Sequence, residues 1–343
     1  MSLVALRSLR RRTAPLAKTA VLRIGGYAAV RRLLPSHRAG ILRYHAICGP
    51  EGDAYADPAI CISPAAFEQH VRYLAANYAV LPLHVIVTRL REGAPLPRNC
   101  VAITFDDGYA DNLEAARTLN RHGLSGTFYI TAGCMAGGDP FWPTEIRGLI
   151  RAVPGAAIRL ATLRGAIEIP LRNDAERQSA IKTVSRLFKT NPISVRERLR
   201  DQLRAAAGSP HLGCHMLTWD EIAEMRRLGM TIGAHTLTRP NLPSAGLADA
   251  AVEIGGSKKR LEEALGAPVT MFSYPNGGAE RYCTSEVQQL VRRAGYAAAT
   301  TSRNGFAGPE SDPYALERIQ VHERLEDLVF ALEVERFAFQ PTR

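Results

Sequence analysis

The sequence contains no C-x-x-C pair, although it has six cysteines. Zinc ribbons and thiol–disulfide redox motifs depend on such closely spaced pairs, so neither is expected here. The wide scatter of the cysteines also offers no framework of disulfides, which favours buried free thiols. A chain of 343 residues with 46% hydrophobic residues can bury a core large enough to fold without cross-links.

Long apolar runs are missing as well. A membrane-spanning helix needs about 20 consecutive apolar residues, and a secretory signal needs an uninterrupted apolar stretch after its basic residues. Lys18 and Arg23 interrupt the only candidate stretch, Ala14–Val30, and the triple arginine Arg10–Arg12 is followed by no continuous apolar run. These absences predict a cytoplasmic protein, or one peripheral at a membrane, with neither a cleaved signal peptide nor a spanning helix.

Acidic residues are absent from the first 50 positions, which carry ten Lys and Arg residues. Subtracting these ten from the 43 Lys and Arg of the whole chain leaves 33, which equals the number of Asp and Glu. The net charge of +10 therefore comes from the N-terminal segment, and the rest of the chain is neutral. Since this neutral part shows no interleaved basic and aromatic residues, no nucleic-acid partner is expected.

The basic N-terminal arm, residues 1–39, has two interpretations. Pro15 and the pair Gly25–Gly26 argue against one continuous helix, and a basic leader packed loosely on the domain is one possibility. The other is a helix that lies on an anionic membrane surface, because cations alternate with apolar residues near helical spacing. These apolar residues are Leu6, Leu9, Leu16, Ala20, Ile24 and Ala28.

The remaining residues, 40–343, alternate short apolar runs with helical patterns. The clearest run, Cys100–Phe105, is continuous and stops at two aspartates, which is typical of a buried parallel strand. This alternation predicts an α/β sheet or barrel. Residues 144–217 break the rhythm because they are rich in Arg and Ala and mostly helical in pattern. They are interpreted as a helical insertion in one domain.

Three predicted strands end in residues that can carry chemistry. Asp106 and Asp107 follow the first, His235 follows the second, and the turn from Tyr274 through Asn276 follows the third. Ligands gather at the carboxyl ends of parallel strands, and two adjacent carboxylates can divide cation binding and proton transfer between them. Each feature also has a structural interpretation, as a turn, a hydrogen-bonded histidine or a loop.

In this order, these features resemble the polysaccharide deacetylase family, also called the NodB-homology domain or carbohydrate esterase family 4. The similarity covers nearly everything after the arm, and it is greatest to the branch whose domain opens with a Tyr-His pair, here Tyr44–His45. It rests on several further segments: TFDDGY at Thr104–Tyr109, LTWDEI at Leu217–Ile222, IGAHTLT at Ile232–Thr238, SKKRLE at Ser257–Glu262, YPNG at Tyr274–Gly277 and AGYAAATT at Ala294–Thr301.

The resemblance implies a deformed (β/α)7-type barrel that removes acetyl groups, most often N-acetyl, from a polysaccharide, an oligosaccharide or a glycolipid. It also implies a divalent metal, with zinc as the expected ion, that is held by one Asp and two His and activates a water. By position, Asp106 resembles the catalytic base, and Asp107 and His235 resemble metal ligands.

The resemblance assigns the remaining roles to residues near the other strand ends. Tyr274 and Asn276 lie where the family places an oxyanion-binding backbone N–H. His45 is the candidate acid that protonates the leaving nitrogen, because a histidine with an ordinary pKa of about 6.5 suits that task. His322 is the second candidate for the acid.

The sequence departs from the family at two positions. Arg239 stands where the second histidine ligand is expected, and a guanidinium has no lone pair to offer a cation. Ser273 stands where the family has an arginine, and Arg318 is the candidate to steady Asp106 instead. Two readings follow from Arg239. Either the metal site survives with altered coordination and the protein deacetylates, or Arg239 pairs with Asp107 and only glycan binding remains.

Overall fold

The structure is a computed structural model that describes residues 15–277 and 282–338. Its strands are β1 (Gly40–Tyr44), β2 (Ala46–Ile47), β3 (Cys61–Ile62), β4 (Ala79–Val80), β5 (Cys100–Phe105), β6 (Thr127–Ile130), β7 (Ala157–Thr162), β8 (Gly165–Pro170), β9 (Thr231–Ala234), β10 (Met271–Ser273), β11 (Ala298–Asn304) and β12 (Leu316–Gln320). Its α-helices are α1 (Gly26–Leu33), α2 (Pro64–Asn77), α3 (Leu83–Arg91), α4 (Asn112–Arg121), α5 (Trp142–Ala152), α6 (Asp174–Thr190), α7 (Ile193–Ala206), α8 (Trp219–Arg227), α9 (Leu242–Ala245), α10 (Leu247–Leu265), α11 (Ser285–Arg293) and α12 (Leu325–Glu333).

Seven parallel strands close into a barrel. They follow one another in the order β1, β12, β11, β10, β9, β6 and β5, and pairing between β1 and β5 closes the ring. The two-residue strand β4 pairs with the first two residues of β5. The predicted (β/α)7-type barrel is therefore confirmed. Because the barrel strands are parallel, their carboxyl ends meet at one rim, which is the usual place for chemistry in such folds.

Aromatic side chains pack between the barrel strands and helix α2, where Phe67 contacts Phe105. Every residue of β5 is buried, and Phe105 stacks on Phe128 of β6 with their ring centroids 4.3 Å apart. Gly233 of β9 lies so close to its neighbours that an added Cβ would be 2.6 Å from the Tyr129 ring and 3.0 Å from the Met271 carbonyl oxygen. Glycine at that position therefore lets β6, β9 and β10 approach one another just before His235.

Residues between β6 and β9 form a separate layer with a hydrophobic core of its own. Helices α5, α6 and α7 pack there with the antiparallel hairpin β7–β8, burying Ile150, Leu160, Val184 and Leu203. The sequence pattern predicted helices for this insertion and missed the hairpin. Alternating burial along β7 is the pattern of a half-exposed strand, but the high Arg and Ala content masked it.

The arm is described from residue 15 onward, and its first 14 residues lie outside the described part. Residues 15–23 are helical, and Gly25 at φ 77° separates them from α1, as Pro15 and the Gly–Gly pair predicted. Lys18 pairs with Asp327 at 2.7 Å, and Arg31 donates to Asn77 at 2.6 Å. This part of the arm therefore docks on the barrel. No helix in the described part of the chain is long and apolar enough to cross a membrane.

The six cysteines are all free thiols. Cys48, Cys100 and Cys134 are buried, whereas Cys214 is exposed. The expectation of free thiols agrees with the structure, and burial holds for part of the set.

Candidate functional site

Four of the predicted site residues lie together at the carboxyl rim of the barrel. Asp106 and Asp107 follow β5, His45 follows β1, and His235 follows β9. All four side chains are buried. Their proximity follows from the closed parallel barrel, which brings β1, β5 and β9 to the same end of the molecule.

Arg318, from β12, holds Asp106 through two hydrogen bonds. Its Nη1 donates to Oδ1 at 2.8 Å and its Nη2 donates to Oδ2 at 2.7 Å, while Nη2 also donates to the Ser273 hydroxyl oxygen at 3.0 Å. Burial alone would raise the pKa of Asp106, but the Arg318 charge and the neighbouring histidines hold it well below its usual range. Asp106 is therefore a fixed anion, and its arginine comes from β12, not from position 273.

Asp107 contacts both His235 and Arg239. Arg239 Nε donates to Asp107 Oδ1 at 2.5 Å, and His235 Nε2 lies 3.3 Å from the same oxygen. Burial would raise the pKa of Asp107, but the charge of Arg239, which is the largest opposing influence, holds it well below its usual range. The second interpretation of the sequence requires an ion pair between Arg239 and Asp107. This ion pair is present in the structure.

Hydrogen bonding orients the His235 ring. Its Nδ1 lies 2.8 Å from the Ser273 carbonyl oxygen, which can only accept, so a neutral ring carries its proton on Nδ1 and a lone pair on Nε2. That Nε2 and Asp107 Oδ2 are buried without a hydrogen-bond partner among the described residues. Two acceptor atoms therefore remain for a ligand at this point.

His45 contacts the other aspartate, with its Nε2 3.8 Å from Asp106 Oδ2. Burial lowers the pKa of His45 to about 4, although Asp106 and Asp107 oppose the shift. The ring is therefore neutral at pH 7. An ordinary histidine pKa, which made His45 attractive as an acid, is not found here because the side chain is excluded from water.

The turn after β10 offers Asn276 to the site, whereas Tyr274 is already engaged. The Tyr274 backbone N–H donates to the Thr300 carbonyl oxygen at 3.1 Å, and its hydroxyl donates to the Tyr314 carbonyl oxygen at 2.9 Å. Asn276 Oδ1 lies 3.5 Å from Arg239 Nη1, and its buried Nδ2 has no partner among the described residues. Both donors of Tyr274 are thus engaged within the protein, and an oxyanion role for this turn stays a prediction that is centred on Asn276.

Four residues of this region adopt left-handed backbone conformations that are uncommon for side-chain-bearing residues. Their φ angles are 80° at Asp107, 68° at Thr236, 59° at Arg239 and 72° at Asn276. For a β-branched residue such as Thr236 this conformation is a clear outlier. Each such residue costs of order 1–3 kcal/mol, and such strain concentrates at ligand-binding and active sites.

A cavity of about 330 Å³ opens onto Asp107, Arg239 and His45. Tyr55 and helix α6 of the insertion line its other sides. A second cavity of the same volume lies between the insertion and residues 209–216, and no predicted site residue lines it. We take the first as the candidate site because the strained and unpartnered groups adjoin it. The sequence interpretation missed the contribution of α6, although basic residues recur along one face of that helix.

His322 is not brought into this cavity. It is exposed and lines a different one with Gln320 and Asp327. The position after the last barrel strand therefore does not supply an acid near Asp106, which leaves His45 as the histidine closest to the predicted base.

The resemblance implies a metal that is held by one Asp and two His, and the side chains at this rim supply only part of that ligand set. Asp107 Oδ2 and His235 Nε2 could fill two positions around a divalent cation. The third position holds Arg239, which repels a cation and has no lone pair. In the described residues, no group of three or more His, Cys, Asp or Glu side chains could hold a metal ion. These residues do not fit the three-ligand centre.

Comparison with known proteins supports the family resemblance. A family model described as polysaccharide deacetylase matches residues 180–299, a range that includes His235, Arg239 and the turn at Asn276. The resemblance of this chain to the polysaccharide deacetylase family is thereby confirmed over residues 180–299. The curated relative "Putative polysaccharide deacetylase YxkH" of Bacillus subtilis (strain 168) is similar to this chain over most of the length of both proteins. It is 21% identical over 297 residues, which are 86% of this chain and 75% of the relative.

Solved structures show the same polysaccharide deacetylase fold. The Streptococcus pyogenes deacetylase PplD in complex with acetate is similar at a TM-score of 0.58 and 19% identity, covering 87% of this chain and 99% of that one. IcaB from Ammonifex degensii is similar at a TM-score of 0.57 and 18% identity, covering 87% and 97%. These similarities support the barrel fold of this chain. At 19% and 18% identity they do not extend to the roles of its site residues.

Proposed function

We propose that this protein binds an N-acetylated glycan and that the Asp107–Arg239 pair contacts its acetamido group. The supporting observation is the 2.5 Å contact between Arg239 Nε and Asp107 Oδ1, which leaves Asp107 Oδ2 without a partner. An acetamido group has one N–H donor and one carbonyl acceptor. The unpartnered carboxylate oxygen accepts the first, and the guanidinium donates to the second.

We also propose that binding in wild type is not followed by the family's hydrolysis. Attack on an amide requires a water whose pKa has been lowered far below that of bulk water, which is the task of the cation in metal-dependent hydrolases. Asp106 by itself is a poor proton acceptor because its pKa is depressed. Arg239 supplies a positive charge but cannot ligate a water oxygen.

Deacetylation is the second candidate function. It is favoured by the fixed carboxylate of Asp106, held at 2.7 and 2.8 Å by Arg318, and by the proximity of His45. The two functions share substrate binding and differ in whether acetate is released.

The binding proposal predicts a preference for the acetamido group. We expect wild type to bind chitotetraose about tenfold more tightly than cellotetraose, a neutral tetrasaccharide without acetamido groups, because two hydrogen bonds are at stake. The double variant Asp107→Asn/Arg239→Gln, which removes both charges together, should lose this preference. Isothermal titration calorimetry measures both affinities.

The same samples test hydrolysis. Equal affinities for the two tetrasaccharides in wild type would refute acetamido recognition. Acetate release from chitotetraose, present in wild type and abolished in Asp106→Asn, would establish deacetylation as the function.

The arm carries a separate proposal, that the protein contacts an anionic membrane surface. Ile24 is 81% exposed and Leu33 is 76% exposed, and Leu34 beside it is also exposed. Arg23 and Arg32 are exposed next to them. Apolar side chains flanked by cations suit the boundary between lipid head groups and acyl chains.

This proposal predicts that Ile24→Ser/Leu33→Ser/Leu34→Ser lowers binding to vesicles of phosphatidylglycerol and phosphatidylcholine about tenfold, since buried apolar area is lost. Co-sedimentation of the full chain measures it. The matched control is Leu163→Ser/Leu247→Ser/Val252→Ser, which changes three exposed apolar residues elsewhere and should bind like wild type. Equal binding of wild type and the arm variant would exclude the arm as the contact.

A further inference from the structure

Helix α6 of the insertion presents a row of basic side chains to the candidate cavity. Lys182, Arg186 and Lys189 all line it. Their spacing of four and three residues places them on one face of the helix. They span about 10 Å along its axis. Ser185, on the same face, also lines the cavity.

The charges of Lys182 and Arg186 are not neutralised by another described residue. Lys182 and Arg186 are exposed, and neither forms an ion pair with a described residue. By contrast, Arg147 on the same cavity wall is paired with Asp53 at 2.8 Å. Among the described residues, the acidic residues that line the cavity are Asp57 and Asp107, and Asp107 is paired with Arg239. The cavity therefore carries a net positive charge on the side formed by α6.

A neutral glycan would gain little from Lys182 and Arg186, because like charges that line one cavity repel one another and attract anions. An anionic group bound there would gain charge-assisted hydrogen bonds from side chains with several N–H donors each. Lys182 and Arg186 lie in the same cavity as the acetamido-binding pair, so one extended ligand can reach both.

We propose that Lys182 and Arg186 form an anion-binding subsite, and that the glycan of this cavity carries a carboxylate or phosphate group beside its acetylated sugar. This inference rests on the proposed function, since it extends the acetamido site along the cavity. The insertion thereby selects for charged glycans, whereas Asp107 and Arg239 recognise the acetyl group.

The test compares anionic and neutral probes with the full chain. Hyaluronan tetrasaccharide carries carboxylates and acetamido groups, and chitotetraose is its neutral counterpart. N-acetylglucosamine 6-phosphate and N-acetylglucosamine form a second comparison, in which the anionic group is a phosphate. We expect at least one anionic probe to bind about tenfold more tightly than its neutral counterpart at low salt. The comparison that shows the difference identifies the anion as a carboxylate or a phosphate.

The variant Lys182→Gln/Arg186→Gln should abolish this advantage, so that the anionic probe binds no more tightly than its neutral counterpart. Arg164→Gln/Arg198→Gln removes two exposed cations of the insertion that do not line the cavity, and it should keep the advantage. The inference is overturned if anionic probes bind no better than neutral ones, or if their advantage survives in Lys182→Gln/Arg186→Gln. Anion binding without any chitotetraose binding would support the subsite and refute the acetamido site, and absence of all binding would refute both.

Discussion

The Arg239→His variant is expected to bind about one zinc ion per chain, whereas wild type binds none. The substitution removes the cation that pairs with Asp107 and supplies an imidazole beside His235, so that three ligands become available. Histidine is also among the residues that best tolerate the left-handed conformation found at this position, φ 59°. At a zinc concentration of about 100 times Kd, the variant should gain about 2.7 kcal/mol in its free energy of unfolding. Metal analysis and thermal unfolding with and without zinc measure these effects.

The control is Arg239→Met, which removes the same charge without adding a ligand. It should remain metal-free, and that result would show that zinc binding by Arg239→His depends on the imidazole. If wild type itself binds zinc at the same affinity as Arg239→His, the guanidinium does not block the centre. Acetate release by zinc-loaded Arg239→His, together with none from wild type, would show that this position decides between binding and hydrolysis.

Replacing Arg318 by Met should lower the free energy of unfolding by about 3–5 kcal/mol, because Asp106 would be left as an unpaired buried charge. Both partners are almost completely buried, at 1% and 3% exposure, so water cannot replace the guanidinium. Urea denaturation measures the change. The native-state pKa of Asp106 should rise at the same time, since the largest charge that lowers it is gone.

The double variant Asp106→Asn/Arg318→Met separates the ion pair from the packing of the arginine. It removes both charges, so most of the lost stability should return if the unpaired carboxylate is the cause. The free energy of unfolding of Arg318→Met could instead lie within 1 kcal/mol of the wild-type value, which is about the contribution of an exposed ion pair. That result would show that Asp106 finds another partner or becomes protonated without cost.

The sequence predicted the barrel strands well where apolar runs were continuous and stopped at polar residues. Strand Cys100–Phe105 has the predicted bounds. The hairpin β7–β8 was missed because six alternating residues between helices carry a weaker signal than a long periodic helix. Closure of β1 against β5 joins residues that are distant in sequence, and the family resemblance supplied it where local patterns could not.

The candidate site, like the fold, was predictable from the sequence only in part. Asp106, Asp107, His45 and His235 meet because parallel strands end at one rim, so their proximity was predictable from the strand assignments. The pKa of His45 was not, because it depends on burial by neighbours that the sequence does not reveal. The contact of Arg318 with Asp106 was a residue-type argument whose geometry only the structure supplies. His322 shows the limit of such arguments, since its position after the last strand leads away from the cavity.

The left-handed backbone at Asp107, Thr236, Arg239 and Asn276 has a consequence for how this protein can be engineered. Glycine, and in part asparagine, adopt that conformation with little strain, so substitutions toward them would relax the rim of the barrel. A selection for thermostability alone would therefore find some of its easiest gains among the ligand-contacting residues. A stabilised variant of this chain should be screened for retained glycan affinity before its melting temperature is taken as an improvement.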